Sequence, residues 1–152
     1  MGVVNYQFGS DLGSLFGRGI SVTCSRRTGR MRHVYKNGKL LGTLRPKDGY
    51  LALTIDGARL ILRGTMHPPN LVVVESDVAD FIKAGGDVFA KHVVDADEEL
   101  RPAEEVIITD QSGELVGVGR AVLSGYDMRF FKRGVAVKVR RGVSESAVMP
   151  VS

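Results

Sequence analysis

A glycine pair opens the stretch that decides the fold, Gly85-Gly86-Asp87-Val88-Phe89-Ala90-Lys91-His92-Val93-Val94-Asp95-Ala96-Asp97. The pair is expected to end a short helix, and the apolar run after it predicts a strand over residues 88–94. Glycine has no Cβ, so a ligand could approach the backbone closely at this bend. We expect the bend to leave its N–H groups available to such a ligand.

The surrounding sequence predicts a small β-barrel with short helices. Residues 71–74 read as a buried strand, and Ser76 is expected to cap the helix that the glycine pair ends. That helix is expected to face the core with the side chains of Val78, Phe81 and Ile82. Further strands are predicted over 106–109, 115–123 and 135–139, and a helical turn over 126–131. Gly117, Gly119 and Ala121 share one face of the third strand, which allows a tightly curved sheet.

These motifs, with Pro102 and a strand that ends at Ser124, resemble the PUA module from about Asn70 to Gly142. PUA is an RNA-binding domain named for pseudouridine synthases and archaeosine transglycosylases. The resemblance implies an RNA groove formed by Gly85, Gly86, Val88, Phe89, Ala90 and Lys91, with Lys138 and Arg140 from the last strand. From the residues alone, Phe89 could stack on a base or fill the core, and the core position is favoured.

The first half predicts a separate small α+β domain. Strands are expected over 20–25, 31–35 and 40–44, with Asn37-Gly38 as a hairpin turn and an edge strand over 51–53. A short helix is predicted over 11–16. A second helix, capped by Thr54 and stopped by Gly64, is expected to bury Ile55, Ala58 and Leu62.

Two prolines in His67-Pro68-Pro69-Asn70 predict the domain boundary. The expected organisation is a domain over 1–66, a PUA domain over 70–142 and a tail over 143–152. The fold class is therefore α+β: a small antiparallel sheet with a covering helix, followed by a PUA-like pseudo-barrel of mixed strands.

Charge is segregated along the chain, although the net charge is only +4. Residues 1–66 hold eleven Lys/Arg against three Asp/Glu, whereas residues 67–152 hold ten against fourteen. A positive face of this kind is typical of proteins that bind polyanions. The candidate phosphate-binding cations are Arg26, Arg27, Arg30, Arg32 and Lys36 in the first half, and Arg120, Lys138, Arg140 and Arg141 in the second.

The first half also carries a resemblance. Asn5–Gly9, Ser25–Tyr35 and Asp48-Gly49 look like the segment that precedes PUA in archaeosine tRNA-guanine transglycosylases. That family implies an arm that grips tRNA, with PUA on the acceptor stem and 3′ end. Its catalytic barrel needs about 200 residues or more, and no part of this sequence supplies one. The expected function is therefore a non-enzymatic, tRNA-binding accessory in tRNA modification, acting with a separate modifying enzyme.

Several function classes are disfavoured. The sequence has no recognised catalytic motif, and His33, His67 and His92 lack metal-ligand spacing, so neither a metal nor a cofactor is expected. Cys24 is the only cysteine, so no intrachain disulfide can form and a cytoplasmic setting is expected. No membrane span is expected either, because no apolar run approaches the roughly 18 residues that one needs. The oligomeric state is left open.

Two alternatives remain. The acidic stretch, Asp95–Glu105, could be the surface of a protein–protein adaptor in an RNA-processing or ribosome-assembly complex. The other alternative is a small enzyme in which Asp95 or Asp97 acts as a general base.

Overall fold

The computed structural model describes residues 20–24, 32–36, 39–44, 51–64, 68 and 70–145. The chain divides into two compact units, Met1–Pro69 and Asn70–Ser152. The helix predicted over 11–16 lies outside the described residues. Within the described ranges, no helix is both long and apolar enough to cross a lipid bilayer.

The first unit contains a four-stranded antiparallel meander in the order β1-β2-β3-β4. Its strands are β1 (Ile20–Cys24), β2 (Arg32–Lys36), β3 (Lys39–Leu44) and β4 (Leu51–Leu53). The four predicted strands and the edge position of β4 are confirmed, with bounds shifted by one residue at most. In the register, Val22 lies opposite Val34, and Leu44 lies opposite Leu51.

Helix α1 (Ile55–Gly64) covers this sheet. The hydroxyl of Thr54 accepts the N–H of Gly57 at 3.1 Å, which confirms the predicted N-cap. Ala58 and Ile61 are fully buried, whereas the predicted core residues Ile55 and Leu62 are only half-buried. A Cβ on Gly57 would lie 2.1 Å from the carbonyl oxygen of Leu41, so this glycine permits the helix to approach β3. Ile61 follows Gly57 by one helical turn and therefore lies on the same buried face.

The second unit is a six-stranded mixed sheet in the order β6-β10-β9-β8-β5-β7. Its strands are β5 (Leu71–Val74), β6 (Val88–Phe89), β7 (Val93–Ala96), β8 (Glu105–Asp110), β9 (Leu115–Ala121) and β10 (Val135–Gly142). β5 and β8 are parallel, and the other pairs are antiparallel.

The path from β6 to β7 shows how the sheet closes. One 3₁₀ turn, Ala90–His92, joins the two strands, yet they pair with opposite ends of the sheet, β6 with β10 and β7 with β5. Two edges joined by three residues require a sheet curved into a near-closed barrel. The continuous strand predicted over 88–94 is therefore wrong, because the chain changes its pairing partner between Phe89 and Val93. The predicted α+β class with a mixed-strand barrel is confirmed.

Small residues on β9 permit this curvature, as predicted. A Cβ on Gly119 would lie 2.4 Å from the carbonyl oxygen of Lys138, and one on Gly117 would lie 2.8 Å from that of Arg141. The core is mainly apolar, and its largest fully buried side chains include Ile82, Leu100, Ile107, Ile108 and Met128, together with the carboxylate of Glu105.

Two short helices flank the barrel, α2 (Ala79–Lys83) and α3 (Gly125–Phe130). The helical turn predicted near α3 is confirmed, and the hydroxyl of Ser124 accepts the N–H of Asp127 at 3.0 Å. Ser76 does not cap α2 as predicted. It opens a 3₁₀ turn (Ser76–Val78), and α2 has no side-chain N-cap.

Candidate nucleic-acid interface

The glycine pair ends α2 in a Schellman motif. Gly85 has φ +106°, its N–H donates to the carbonyl of Ile82 at 2.9 Å, and the N–H of Gly86 donates to that of Phe81 at 3.0 Å. The predicted helix stop is confirmed, but the expectation of free N–H donors is wrong, because both N–H groups satisfy carbonyls of α2. The pair therefore shapes the site and does not supply backbone donors to it.

A carboxylate also lies over this bend. A Cβ on Gly85 would lie 3.0 Å from Oε1 of Glu145, and that oxygen accepts the N–H of Gly142 at 2.7 Å. Ser144 N–H donates to the carbonyl of Lys83 at 2.9 Å. Residues 143–145, placed by the sequence in a tail, thus hydrogen-bond to the barrel and cover Gly85.

The ring of Phe81 lies where a side chain of residue 86 would stand. A Cβ on Gly86 would fall 2.2–2.5 Å from three atoms of that ring. Phe81 is 58% exposed, and Phe89 is 39% exposed. The predicted core positions of both side chains are wrong. On β6 the two-residue alternation turns Val88 inward and Phe89 outward, and Ile82 takes the core position beside Phe81.

These two rings border a cleft of about 300 Å³ between α2 and β6. The residues that line it are Asp77, Val78, Phe81, Ile82, Asp87, Phe89, Lys91 and His92. Lys91 is exposed, and the structure gives it no ion-pair partner among the residues it describes. The cleft therefore combines two accessible aromatic rings with a cation, which are the groups that stack bases and neutralise phosphate.

Three other polar side chains line the cleft: Asp77 is exposed, with no ion-pair partner among the residues that the structure describes, whereas Asp87 and His92 contact neighbours. Asp87 Oδ1 accepts the N–H of Val139 at 3.0 Å, and its Oδ2 lies 3.8 Å from Nζ of Lys138. Nδ1 of His92 lies 3.3 Å from Oε2 of Glu75. Asp87 therefore holds the cleft wall to β10 and brings the predicted cation Lys138 to the cleft.

Charged residues form a row across β8, β9 and β10, beside the cleft. In the register of β8, β9 and β10, Glu105 lies opposite Arg120, and Arg120 lies opposite Lys138. Directly opposed residues project from the same face. Arg140 is the extra residue of a β-bulge in β10, and its guanidinium donates to both carboxylate oxygens of the fully buried Glu105. Arg140 is thereby oriented by a buried carboxylate, while Arg120 and Lys138 are exposed.

The remaining predicted site residues fall into three groups. Val88 and Ala90 are buried, so their side chains belong to the core. Arg141 is half-buried at the end of β10. In the first unit, Arg32 and Lys36 are the first and last residues of β2, whereas Arg26, Arg27 and Arg30 lie outside the described residues.

Sequence reasoning missed Phe81 and His92 as cleft residues. A signal for Phe81 was available, since a Schellman motif brings the residue five positions before its second glycine into contact with that glycine. No local pattern identified His92, because its position depends on the turn between β6 and β7.

The carboxylates of the acidic stretch are largely used within the fold. Asp97 Oδ2 accepts the N–H of Asn70 at 2.8 Å, and its Oδ1 accepts that of Glu99 at 2.9 Å. Glu98 Oε1 pairs with Nη1 of Arg129 at 2.6 Å. No group of three potential metal ligands occurs within the described ranges. These contacts give the acidic stretch a structural role.

Both halves of the chain match known domain families. Residues 70–143 match the PUA domain. The second half of the chain is a PUA domain. Residues 1–68 match the patch-forming domain C2 of tRNA-guanine transglycosylase, so the predicted resemblance is confirmed in both halves.

Curated relatives show the same relation. The chain is 42% identical over 145 residues to the tRNA-guanine(15) transglycosylase of Thermococcus kodakarensis, covering 95% of this chain and 25% of the relative. It is 44% identical over 145 residues to that of Pyrococcus furiosus, covering 95% and 24%. This PUA-domain protein thus spans about a quarter of the length of the curated relatives it matches.

Solved structures show the same fold at low identity. A hypothetical protein of Pyrococcus horikoshii OT3 superposes with a TM-score of 0.79 at 22% identity, covering 96% of this chain and 89% of the other. A conserved PUA domain protein of Thermoplasma acidophilum gives 0.63 at 19% identity, covering 91% and 90%.

Proposed function

We propose that this PUA-domain protein binds RNA through the cleft between α2 and β6, and that its target is the acceptor stem and 3′ end of tRNA. It acts in tRNA modification as a non-catalytic accessory to a separate modifying enzyme. The observation that carries the proposal is the pair of exposed rings, Phe81 and Phe89, on a cleft that also presents Lys91.

The cleft is suited to an unpaired base. Stacking on an aromatic ring contributes about 1–3 kcal/mol per base and tolerates any base. The two rings border a volume of about 300 Å³, and Lys91 lines the same cleft. Its ammonium group can neutralise the phosphate of a nucleotide stacked on either ring. An unpaired RNA end therefore fits this site better than a duplex, whose bases are already stacked.

The adjoining duplex would meet the exposed cations of β9 and β10. Arg120 and Lys138 lie in one register row, and Asp87 holds Lys138 at the cleft. Cations of this kind contact phosphates without reading the sequence. A single-stranded end in the cleft with its stem on this row agrees with an acceptor-stem target.

The choice of tRNA is supported by the relatives. Those relatives are tRNA-guanine(15) transglycosylases, and this chain matches the C2 and PUA regions of such proteins. Those two matches support the accessory role, because neither region carries a recognised catalytic motif in this sequence.

Filter binding of tRNA with and without its unpaired 3′ end tests the target. We expect removal of that end to weaken binding by about tenfold, the loss of one stacked base. Phe89→Ala should cause the same loss with intact tRNA and no further loss with the trimmed tRNA. Arg101→Ala is the matched control, because it removes an exposed cation from the acidic stretch. Equal binding of both tRNAs would contradict the cleft as the site of the 3′ end.

A second experiment tests the accessory role. The purified protein incubated with tRNA alone should leave its nucleosides unchanged, as measured by mass spectrometry of the digested RNA. A deletion strain should lose a tRNA modification, and a pull-down should recover the modifying enzyme. A nucleoside changed by the protein alone would show an enzyme, and binding of a protein partner without retention on RNA at moderate salt would show an adaptor.

A further inference from the structure

Three aromatic side chains project into solvent at α3. Tyr126 is 59% exposed, Phe130 is 62% exposed, and Phe131, which ends the helix, is 51% exposed. The rings of Tyr126 and Phe130 lie one turn apart with centroids 4.7 Å from each other and planes inclined at 41°. We call these three side chains the α3 aromatic surface.

These rings lie outside the buried face of α3. The residues by which α3 is buried in the barrel are Gly125 and Met128. A Cβ on Gly125 would lie 1.8 Å from the carbonyl oxygen of Asp97, so the helix already packs closely through its glycine. Three large aromatic side chains that are more than half exposed form a surface patch, and such patches mark interaction sites.

Cations border the α3 aromatic surface. Lys132 and Arg133 follow Phe131 directly and are exposed, and neither has an ion-pair partner among the residues that the structure describes. Arg129 is paired with Glu98 at 2.6 Å. Aromatic rings next to unneutralised cations suit a ligand with flat apolar groups on a polyanionic backbone.

The same loop leads to the cleft. The carbonyl of Gly134 accepts the N–H of Ala90 at 2.9 Å, and Val135 lies opposite Phe89 in the sheet. Arg133 adjoins one end of that hydrogen bond, and Lys91 adjoins the other. Lys91, at the cleft, and Arg133, next to the α3 aromatic surface, therefore flank the hydrogen bond that links the two segments.

We propose that the α3 aromatic surface is a second binding site for single-stranded RNA, and that one RNA strand runs from the cleft across Lys91 and Arg133 onto these rings. The inference rests on the proposed RNA binding of the cleft and extends it to a longer strand. RNA is favoured over an apolar protein partner because the unneutralised cations join this surface to the cleft.

Two RNA lengths separate the surfaces. The full chain is titrated with oligouridylates of about three and about ten nucleotides. The shorter RNA fits the cleft alone, and the longer one can reach from the cleft to the α3 aromatic surface. The wild type should bind the longer RNA about tenfold more tightly or better, the contribution of one or more stacked bases. A variant with Tyr126→Ser, Phe130→Ser and Phe131→Ser should lose that gain and bind the short RNA as the wild type does. Phe89→Ala should weaken binding of both RNAs.

A charge variant supplies an independent readout. Lys132→Ala with Arg133→Ala should reduce the slope of log affinity against log salt by about 1.4 for the longer RNA, since each phosphate contact on a single strand contributes about 0.7. The short RNA should show a smaller change, and Arg101→Ala should show none. Amide exchange of β8 and β9 checks that each variant is folded.

The outcomes are distinguishable. If the wild type binds both RNAs, Phe89→Ala weakens both and the serine variant keeps full affinity for the longer one, the second site is wrong while the proposed function stands. If the wild type binds neither RNA but retains tRNA on the filter, the inference is overturned while the proposed function stands; if it binds neither these RNAs nor tRNA, the proposed function itself fails. If the serine variant changes only sedimentation, at unchanged RNA affinity, the α3 aromatic surface is a protein interface and the inference is overturned.

Discussion

Replacing Gly85 by alanine separates the structural role of the glycine bend from RNA binding. At φ +106° an alanine is strained, and positive φ costs an L-residue about 1–2 kcal/mol. The new Cβ would stand 3.0 Å from a carboxylate oxygen of Glu145, which can move because it ends a flexible side chain. We therefore expect Gly85→Ala to lower the stability of the PUA unit by about 1–2 kcal/mol.

RNA affinity should not change in the same variant. The N–H groups of Gly85 and Gly86 are bound to carbonyls of α2, so the ligand loses no donor. Gly86→Ala is the matched variant, because its Cβ would meet the ring of Phe81 at 2.2 Å. The exposed ring must swing away, and RNA affinity should fall about 5- to 150-fold, the equivalent of one stacked base at about 1–3 kcal/mol.

Amide hydrogen exchange in β8 and β9 measures the stability of this unit within the full chain, and filter binding of tRNA measures its affinity. The reasoning would be refuted if Gly85→Ala kept its stability and lost RNA binding, because the glycine N–H groups would then serve the ligand. Unchanged affinity in Gly86→Ala would remove Phe81 from the site.

Three further substitutions test the local structure. Asp110→Ala should destabilise the β8–β9 hairpin by about 1–3 kcal/mol at neutral pH, since one carboxylate oxygen accepts three hydrogen bonds. These bonds, above all that from the side chain of Ser112, lower the pKa of Asp110. The stability difference between variant and wild type should therefore be full above about pH 4 and be lost as the pH falls through that lowered pKa. Equal acid sensitivity of both proteins would contradict this. Gly125→Ala should cost about 3 kcal/mol by overpacking against the backbone of Asp97, and a calorimetric midpoint equal to that of wild type would show that α3 can shift. Thr54→Ala should lower protection of α1 amides by about 1 kcal/mol, with Thr54→Ser retaining it; no difference between the two would exclude the cap.

Local patterns predicted most of the fold. Strands β1 to β4, the Thr54 cap and the helix end at Gly85 each depend on residues close in sequence, and each is confirmed. The break between β6 and β7 could not be predicted in this way. It occurs because Phe89 pairs with Val135 while Val93 pairs with Val74, and those partners are set by closure of the barrel.

The candidate site was less predictable for the same reason. The exposure of Phe81 and Phe89 is decided by which neighbours fill the core, and Ile82 and Val88 take those positions. The glycine pair was located correctly, but its sequence does not reveal that its N–H groups return to α2. That Lys91 and Lys138 contact RNA remains a prediction. The structure places Lys91 in the lining of the cleft and Lys138 next to Asp87, which also lines it.

The central claim is that RNA binds at the cleft between α2 and β6. The most direct measurement is a titration of the isotope-labelled full chain with an acceptor-stem RNA that has an unpaired 3′ end, followed by amide chemical-shift mapping. The account predicts that the largest shifts occur at residues 77–92, with Phe89 and Lys91 among them. Shifts confined to the acidic stretch, or none at saturating RNA, would contradict it.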